Sequence, residues 1–229
     1  MFKLVDRNIH FSPTVQTKIP GLKIGILTCS GFEVRKESDF VKKQFIQLEF
    51  SIKDKFSNKA PSTDLIVSAV RRMYRRIGWE PTQYRPSSEA MIRRFLKDKG
   101  LYRINNAVDL GNVASTRFHL PMGLYDTDRI SGPISVDVGR KEEKYQGISK
   151  DVIHAEGKLV LRDEEGIFGN PTADSVRTSI QPDTKNISAL FFTPPEVEDS
   201  YLLETLSFLK ELYITDCPEI RIGIEVIRS

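Results

Sequence analysis

The chain has 229 residues, a formal net charge of +3, 28% charged and 39% apolar residues, and two cysteines, Cys29 and Cys217. A protein of this size buries a core without disulfides or metals, and no run of about 18 apolar residues offers a membrane span. Two separated cysteines and three histidines (His10, His119, His154) give no zinc spacing. These features fit a soluble, cytoplasmic protein with no metal, no cofactor and no membrane partner. The opening Met1-Phe2-Lys3-Leu4-Val5-Asp6-Arg7 is too charged for a signal peptide.

In chain order, residues 22–28 and 31–35 read as short β-branched strands. Ser38 reads as the N-cap of a helix over 39–56, with Phe40, Val41, Phe45, Leu48, Ile52 and Phe56 near helical spacing. Pro61-Ser62-Thr63 opens a second helix to about Ile77, closed by Gly78. A third follows Pro86-Ser87 and stops at Gly100, with Ala90, Met91, Phe95 and Leu96 inward and Arg93, Arg94 and Lys97 outward. A fourth covers 107–117. From Ile134 the pattern changes to short strands at 134–138, 158–162, 176–180 and 187–193, separated by Gly, Pro, Asn and Asp. Asp199 or Ser200 caps a last helix to Tyr213, and 220–227 reads as a final strand. Helices before strands predict an α+β domain with a mainly antiparallel sheet and helices packed on it. Residues 1–60 read as an extension that either adds an edge strand and a helix to the core or serves as a partner surface, and 61–229 as the main domain.

Charge is uneven. Residues 71–117 hold eleven Lys or Arg against four acids, so the rest of the chain is net acidic. Such a stretch suits either a solvated helix face or a phosphate-neutralising surface; its candidate RNA-binding residues are Arg71, Arg72, Arg75, Arg76, Arg93, Arg94, Lys97 and Arg103. No phosphate-loop, dinucleotide or nucleophile-elbow motif is present. The cysteines read as core residues, His119 as a partly exposed capping histidine, and Asp163-Glu164-Glu165-Gly166 as a hairpin turn.

Three motifs add a family resemblance. The run Arg103-Ile104-Asn105-Asn106-Ala107-Val108-Asp109-Leu110-Gly111-Asn112 resembles the opening of the B3/B4 editing domain of the phenylalanyl-tRNA synthetase beta subunit. Leu120-Pro121-Met122-Gly123-Leu124-Tyr125-Asp126-Thr127-Asp128-Arg129-Ile130 and Pro182-Asp183-Thr184-Lys185-Asn186 are similar to two later motifs of that domain, in order. Free-standing members of the family also resemble this chain at Arg85-Pro86-Ser87-Ser88-Glu89-Ala90 and Asp174-Ser175-Val176-Arg177-Thr178. The resemblance covers roughly residues 85–215 and includes no tRNA-ligase motif, so it implies a free-standing B3/B4-like domain without amino-acid activation.

In the family this domain hydrolyses tyrosine misesterified to the tRNA for phenylalanine. The ester is already activated, so a site must chiefly place a water and hold the tRNA 3′ end. The resemblance implies a substrate pocket of Asn112, Leu120, Pro121, Met122, Gly123, Thr172, Ser175, Arg177, Thr178 and Leu190, with no catalytic residue assigned. The family's tyrosine-reading Glu corresponds to about Leu190, its polar residue before the motif proline to Leu120, and its Gly-Gly turn to Pro171-Thr172. These departures imply a different, more apolar side-chain preference. The implied function is a tRNA-binding, trans-editing aminoacyl-tRNA deacylase with aminoacyl-tRNA as partner and no DNA. The alternative is a non-catalytic binder of an amino acid or small ligand.

Overall fold

The structure, a computed structural model, describes residues 9–149 and 151–229. Residues 1–7, read above as too polar for a signal peptide, lie outside the described residues. Along the chain run β1 (Ile9–Phe11), α1 (Pro13–Lys18), β2 (Lys23–Ser30), α2 (Asp39–Lys55), α3 (Leu65–Arg76), α4 (Ser87–Phe95), α5 (Asn106–Phe118) and β3 (Met122–Asp126). Then follow β4 (Ile134–Val138), β5 (Lys144–Gln146), β6 (Val152–His154), β7 (Leu159–Asp163), β8 (Gly166–Gly169), β9 (Asn186–Thr193), α6 (Asp199–Asp216) and β10 (Arg221–Arg228).

The apolar runs of β2 and β9 are continuous rather than alternating, the pattern of strands covered on both faces. They are accordingly the two interior strands of an antiparallel sheet ordered β10-β2-β9-β3. The edge strand expected of residues 1–60 is β1, at the margin of another sheet, whereas β2 is interior because both its faces are buried. A second sheet, β1-β4-β7-β8, is antiparallel except for the β1–β4 pair, and β5 and β6 form a ribbon. The fold is α+β with mostly antiparallel sheets. The main apolar core links both sheets and the helices; Tyr125 of β3 meets Phe168 of β8 edge-on, with ring centroids 4.8 Å apart.

Some local expectations change for identifiable reasons. Residues 31–35 form no strand, because the Asn106 side chain takes the place of a ladder, donating to the Glu33 carbonyl and accepting from the Arg35 amide. Residues 176–180 form turns, since Ser175 Oγ accepts from the Arg177 amide and Ser179 Oγ donates to the Val176 carbonyl. Pro61–Thr63 is a 3-10 turn, and Asp64 rather than that triplet caps α3. The 163–166 run does turn β7 into β8. β3 and β8 were not foreseen from periodicity.

His119 ends α5 in the left-handed region (φ 57°), a position usually given to Gly or Asn. It is buried rather than partly exposed, because its Nδ1 lies 2.9 Å from Asp64 Oδ1. Burial alone would raise the Asp64 carboxyl, but the hydrogen bonds from His119 and Lys55 hold it well below its usual range. The pair ties the end of α5 to the start of α3.

Candidate functional site

The three sequence motifs prove to be joinery. Asn105 caps α5 by accepting from the Val108 amide at 2.9 Å. Asp109 turns back to accept from the Ile104 amide and from Arg103, both at 3.0 Å, which fixes Ile104 at the helix start. The second and third motifs clasp each other: Thr184 Oγ1 donates to Asp126 at 2.6 Å, and Asn186 donates to Asp128 at 2.8 Å. That clasp sets where the 174–181 segment passes over β3.

Between α5, β3 and this segment lies a cavity of about 170 Å³. One turn apart on α5, Val108 and Asn112 form one wall. Met122 and Leu124, on the same face of β3, form another. Ile104 and Ile148, both more than half exposed, mark the mouth, and Ser179, Ile180 and Gln181 close the side. An engineered cavity of ~150 Å³ holds benzene, so this space suits one ring or one aliphatic side chain. Asn112 brings a carboxamide that makes no hydrogen bond within the described residues.

The remaining lining residue is Asp174. Its Oδ1 accepts from Tyr125 Oη at 2.7 Å and its Oδ2 from the Leu124 amide at 3.3 Å. Burial pushes its carboxyl up to about 7, and these two hydrogen bonds offset only part of that rise. The phenol reaches Asp174 because positions 123 and 169 are glycine; a Cβ at either would overlap Tyr125 Oη. The loop after β8 therefore puts a carboxylate on the wall of this cavity, while β9 carries none.

Of the residues expected in the pocket, Asn112 and Met122 line this cavity. Leu190 pairs with Gly123, and side chains alternate along a strand, so both face away from Met122 and Leu124. Leu120 and Pro121 are buried, and their carbonyls accept from Ser115 Oγ and the Phe192 amide. Thr178 Oγ1 donates to the Phe168 carbonyl, and the Ser175 amide donates to that same carbonyl. Arg177 forks onto Asp163 at 2.8 and 3.0 Å. Thr172 is exposed beside the Tyr74 hydroxyl. Asp174 was inside a quoted motif, yet nothing in its spacing marked it as the member turned to the cavity.

The expected basic face divides in two. Arg71 and Arg93 bind Glu89, which is 1% exposed, at 2.9 and 2.8 Å. Arg103 is held by Asp109, and Arg94 by the Gly100 carbonyl and the Tyr102 ring. Arg72, Arg75 and Arg76 pair at the surface with Glu196 or Glu80, Arg72 also donates to Ser68, and Lys97 is exposed. Among the described residues no group of His, Cys, Asp or Glu converges as a metal site, and no helix is long and apolar enough to cross a membrane.

Comparison with known proteins agrees with this architecture. The family model of the B3/4 domain matches residues 69–200. The uncharacterized protein YhzB of Bacillus subtilis is 20% identical over 90% of this chain and 93% of its own length. The phenylalanine–tRNA ligase beta subunit of Fusobacterium nucleatum is 30% identical over 46% of this chain, but the match spans only 14% of that subunit. In structure, an N-terminal fragment of the phenylalanyl-tRNA synthetase beta subunit from Pyrococcus horikoshii is similar over 97% of this chain and 52% of that one, with a TM-score of 0.50 and 14% identity, a likeness of fold.

Proposed function

The chain belongs to the B3/4 domain family, and on that premise we propose that its cavity is the side-chain pocket of a trans-acting aminoacyl-tRNA deacylase. The observation that carries this reading is the Asn112 carboxamide, unpartnered on the wall of a cavity sized for one side chain. An aminoacyl ester seated at the mouth would meet a polar group able to orient it or a water, with no protein nucleophile required. Phosphates of the tRNA would meet Arg72, Arg75, Arg76 and Lys97. Exposed ion pairs contribute about 0–1 kcal/mol, so those arginines can exchange a carboxylate for a phosphate. Arg71, 11% exposed and paired with a buried acid, cannot do so cheaply.

Incubation with a panel of correctly and wrongly charged tRNAs tests this. The protein should release at least one amino acid, and Asn112→Ala should slow release about tenfold or more. No release across the panel overturns the hydrolase.

The internal pairing of Arg71, Arg93 and Arg103 favours one second reading, a binder of free amino acid or a similar small ligand. Affinity for tRNA separates the two: a phosphate footprint makes log affinity fall linearly with log salt, whereas the small-ligand binder associates with no tRNA.

A further inference from the structure

The cavity wall carries more than a shape: Asp174 borders it beside Ile148, whose amide donates to the Asp174 carbonyl at 3.2 Å. Asp174 accepts two donors from its own chain, the Tyr125 phenol and the Leu124 amide. Among the described residues no Lys, Arg or His forms an ion pair with it. A carboxylate offers about four lone-pair sites, so acceptor capacity remains where Asp174 borders the cavity. Of the cavity's other polar side chains, Ser179 donates to the Val176 carbonyl and Gln181 to Ser179 Oγ, and among the described residues none donates to the Asp174 carboxylate.

We propose that Asp174 is the specificity-determining residue of this cavity, selecting a ligand side chain with an apolar body and a hydrogen-bond donor, hydroxyl or ammonium, that reaches its carboxylate. The assignment rests on reading the cavity as a side-chain pocket, and concerns what that pocket accepts rather than what happens to the ester. A purely hydrocarbon occupant would strip water from a carboxylate and return nothing. A donor-tipped occupant restores the lost hydrogen bond, and bonds to charged groups are the stronger kind.

Tyr125 is the positioning residue. Its ring is braced edge-on by Phe168 and its hydroxyl passes between Gly123 and Gly169, so the carboxylate is held in one place before any ligand arrives. Because burial moves the Asp174 carboxyl up to about 7, its attraction for an ammonium group should strengthen as pH rises through neutrality.

The test uses the whole protein and three probes the size of the cavity: phenol, n-butylammonium and toluene. Binding is followed by NMR titration at about pH 8. Phenol or n-butylammonium should bind about 10- to 100-fold more tightly than toluene, and which of the two prevails identifies a hydroxyl- or an amine-tipped side chain. Asp174→Asn should reduce that preference for an ammonium to about threefold or less. Tyr125→Phe keeps the ring but removes a hydrogen bond that lowers the Asp174 pKa, so the pH midpoint of binding should move upward, a shift that a merely structural role would not produce.

Toluene binding as well as both polar probes, no saturable binding of any probe, or ammonium selectivity that survives Asp174→Asn would overturn the proposal. These titrations contain no tRNA. Probe selectivity without ester hydrolysis therefore upholds Asp174 and removes the hydrolase, and hydrolysis without probe selectivity does the reverse.

Discussion

Glu89 and Asp174 are two acids set within the same domain, and their surroundings could hardly differ more. Glu89 sits under Arg71, Arg85 and Arg93, at 2.9, 3.8 and 2.8 Å. Asp174 has a phenol, a backbone amide and an apolar cavity. The first is a closed account of charge that fastens α3 to α4. The second leaves acceptor capacity unused beside a space that a ligand could fill, which is why the weakly compensated acid, rather than the heavily paired one, is the better marker of a binding site.

The largest test of this contrast removes the closed partner. Glu89→Gln leaves Arg71 buried without its counter-charge and should cost about 3–5 kcal/mol in urea unfolding. A loss below about 1 kcal/mol would mean that the arginine cluster is not held by Glu89.

Next in size is a pH effect of Asp174. Its folded-state value of about 7 lies above the unfolded value near 3.9. Between about pH 4 and pH 7 the folded protein therefore keeps a proton that the unfolded chain has released, and stability falls as pH rises through that window. Asp174→Asn should flatten this fall, gaining on the order of 2 kcal/mol relative to the parent between about pH 4 and pH 8. Asp64 has the opposite sign: its depressed value adds stability above the unfolded pKa, and that contribution is lost in strong acid.

A smaller change comes through the backbone. Gly123→Ala places a methyl group on the path of the Tyr125 hydroxyl and should cost about 1–2 kcal/mol by thermal unfolding while loosening Asp174. The smallest stability effect belongs to Arg76→Ala, below about 1 kcal/mol because its pair with Glu196 is exposed. If Arg76 meets a phosphate, the same variant should lower the salt slope of tRNA binding by about 0.9. An unchanged slope would remove it from the footprint.

Local chemistry made much of this legible. Ser38 before an apolar periodicity announced α2, and the acidic run at 163–166 announced a hairpin. The fourth helix, read over 107–117, is α5, and its start is built within a few residues by the Asn105 cap and the Asp109 turn. Asn112 was legible through its motif. Leu190 misled because a motif gives a position along a strand but not which face that position occupies; its pairing with Gly123 turns it away from the cavity.

The sequence by itself determined the α+β class, most helices, a strand at 187–193 and the family, because these depend on periodicity, caps and motifs written over short spans. Only the tertiary structure decided that Arg71 and Arg93 are spent on Glu89, that β2 is an interior strand, and that Asp174 meets Tyr125 beside Asn112. Those outcomes depend on groups far apart in the chain, such as Asn112 and Asp174 or Lys23 and Arg228, being brought together by strand register and helix packing, and nothing within a short stretch of chain encodes which charges will meet.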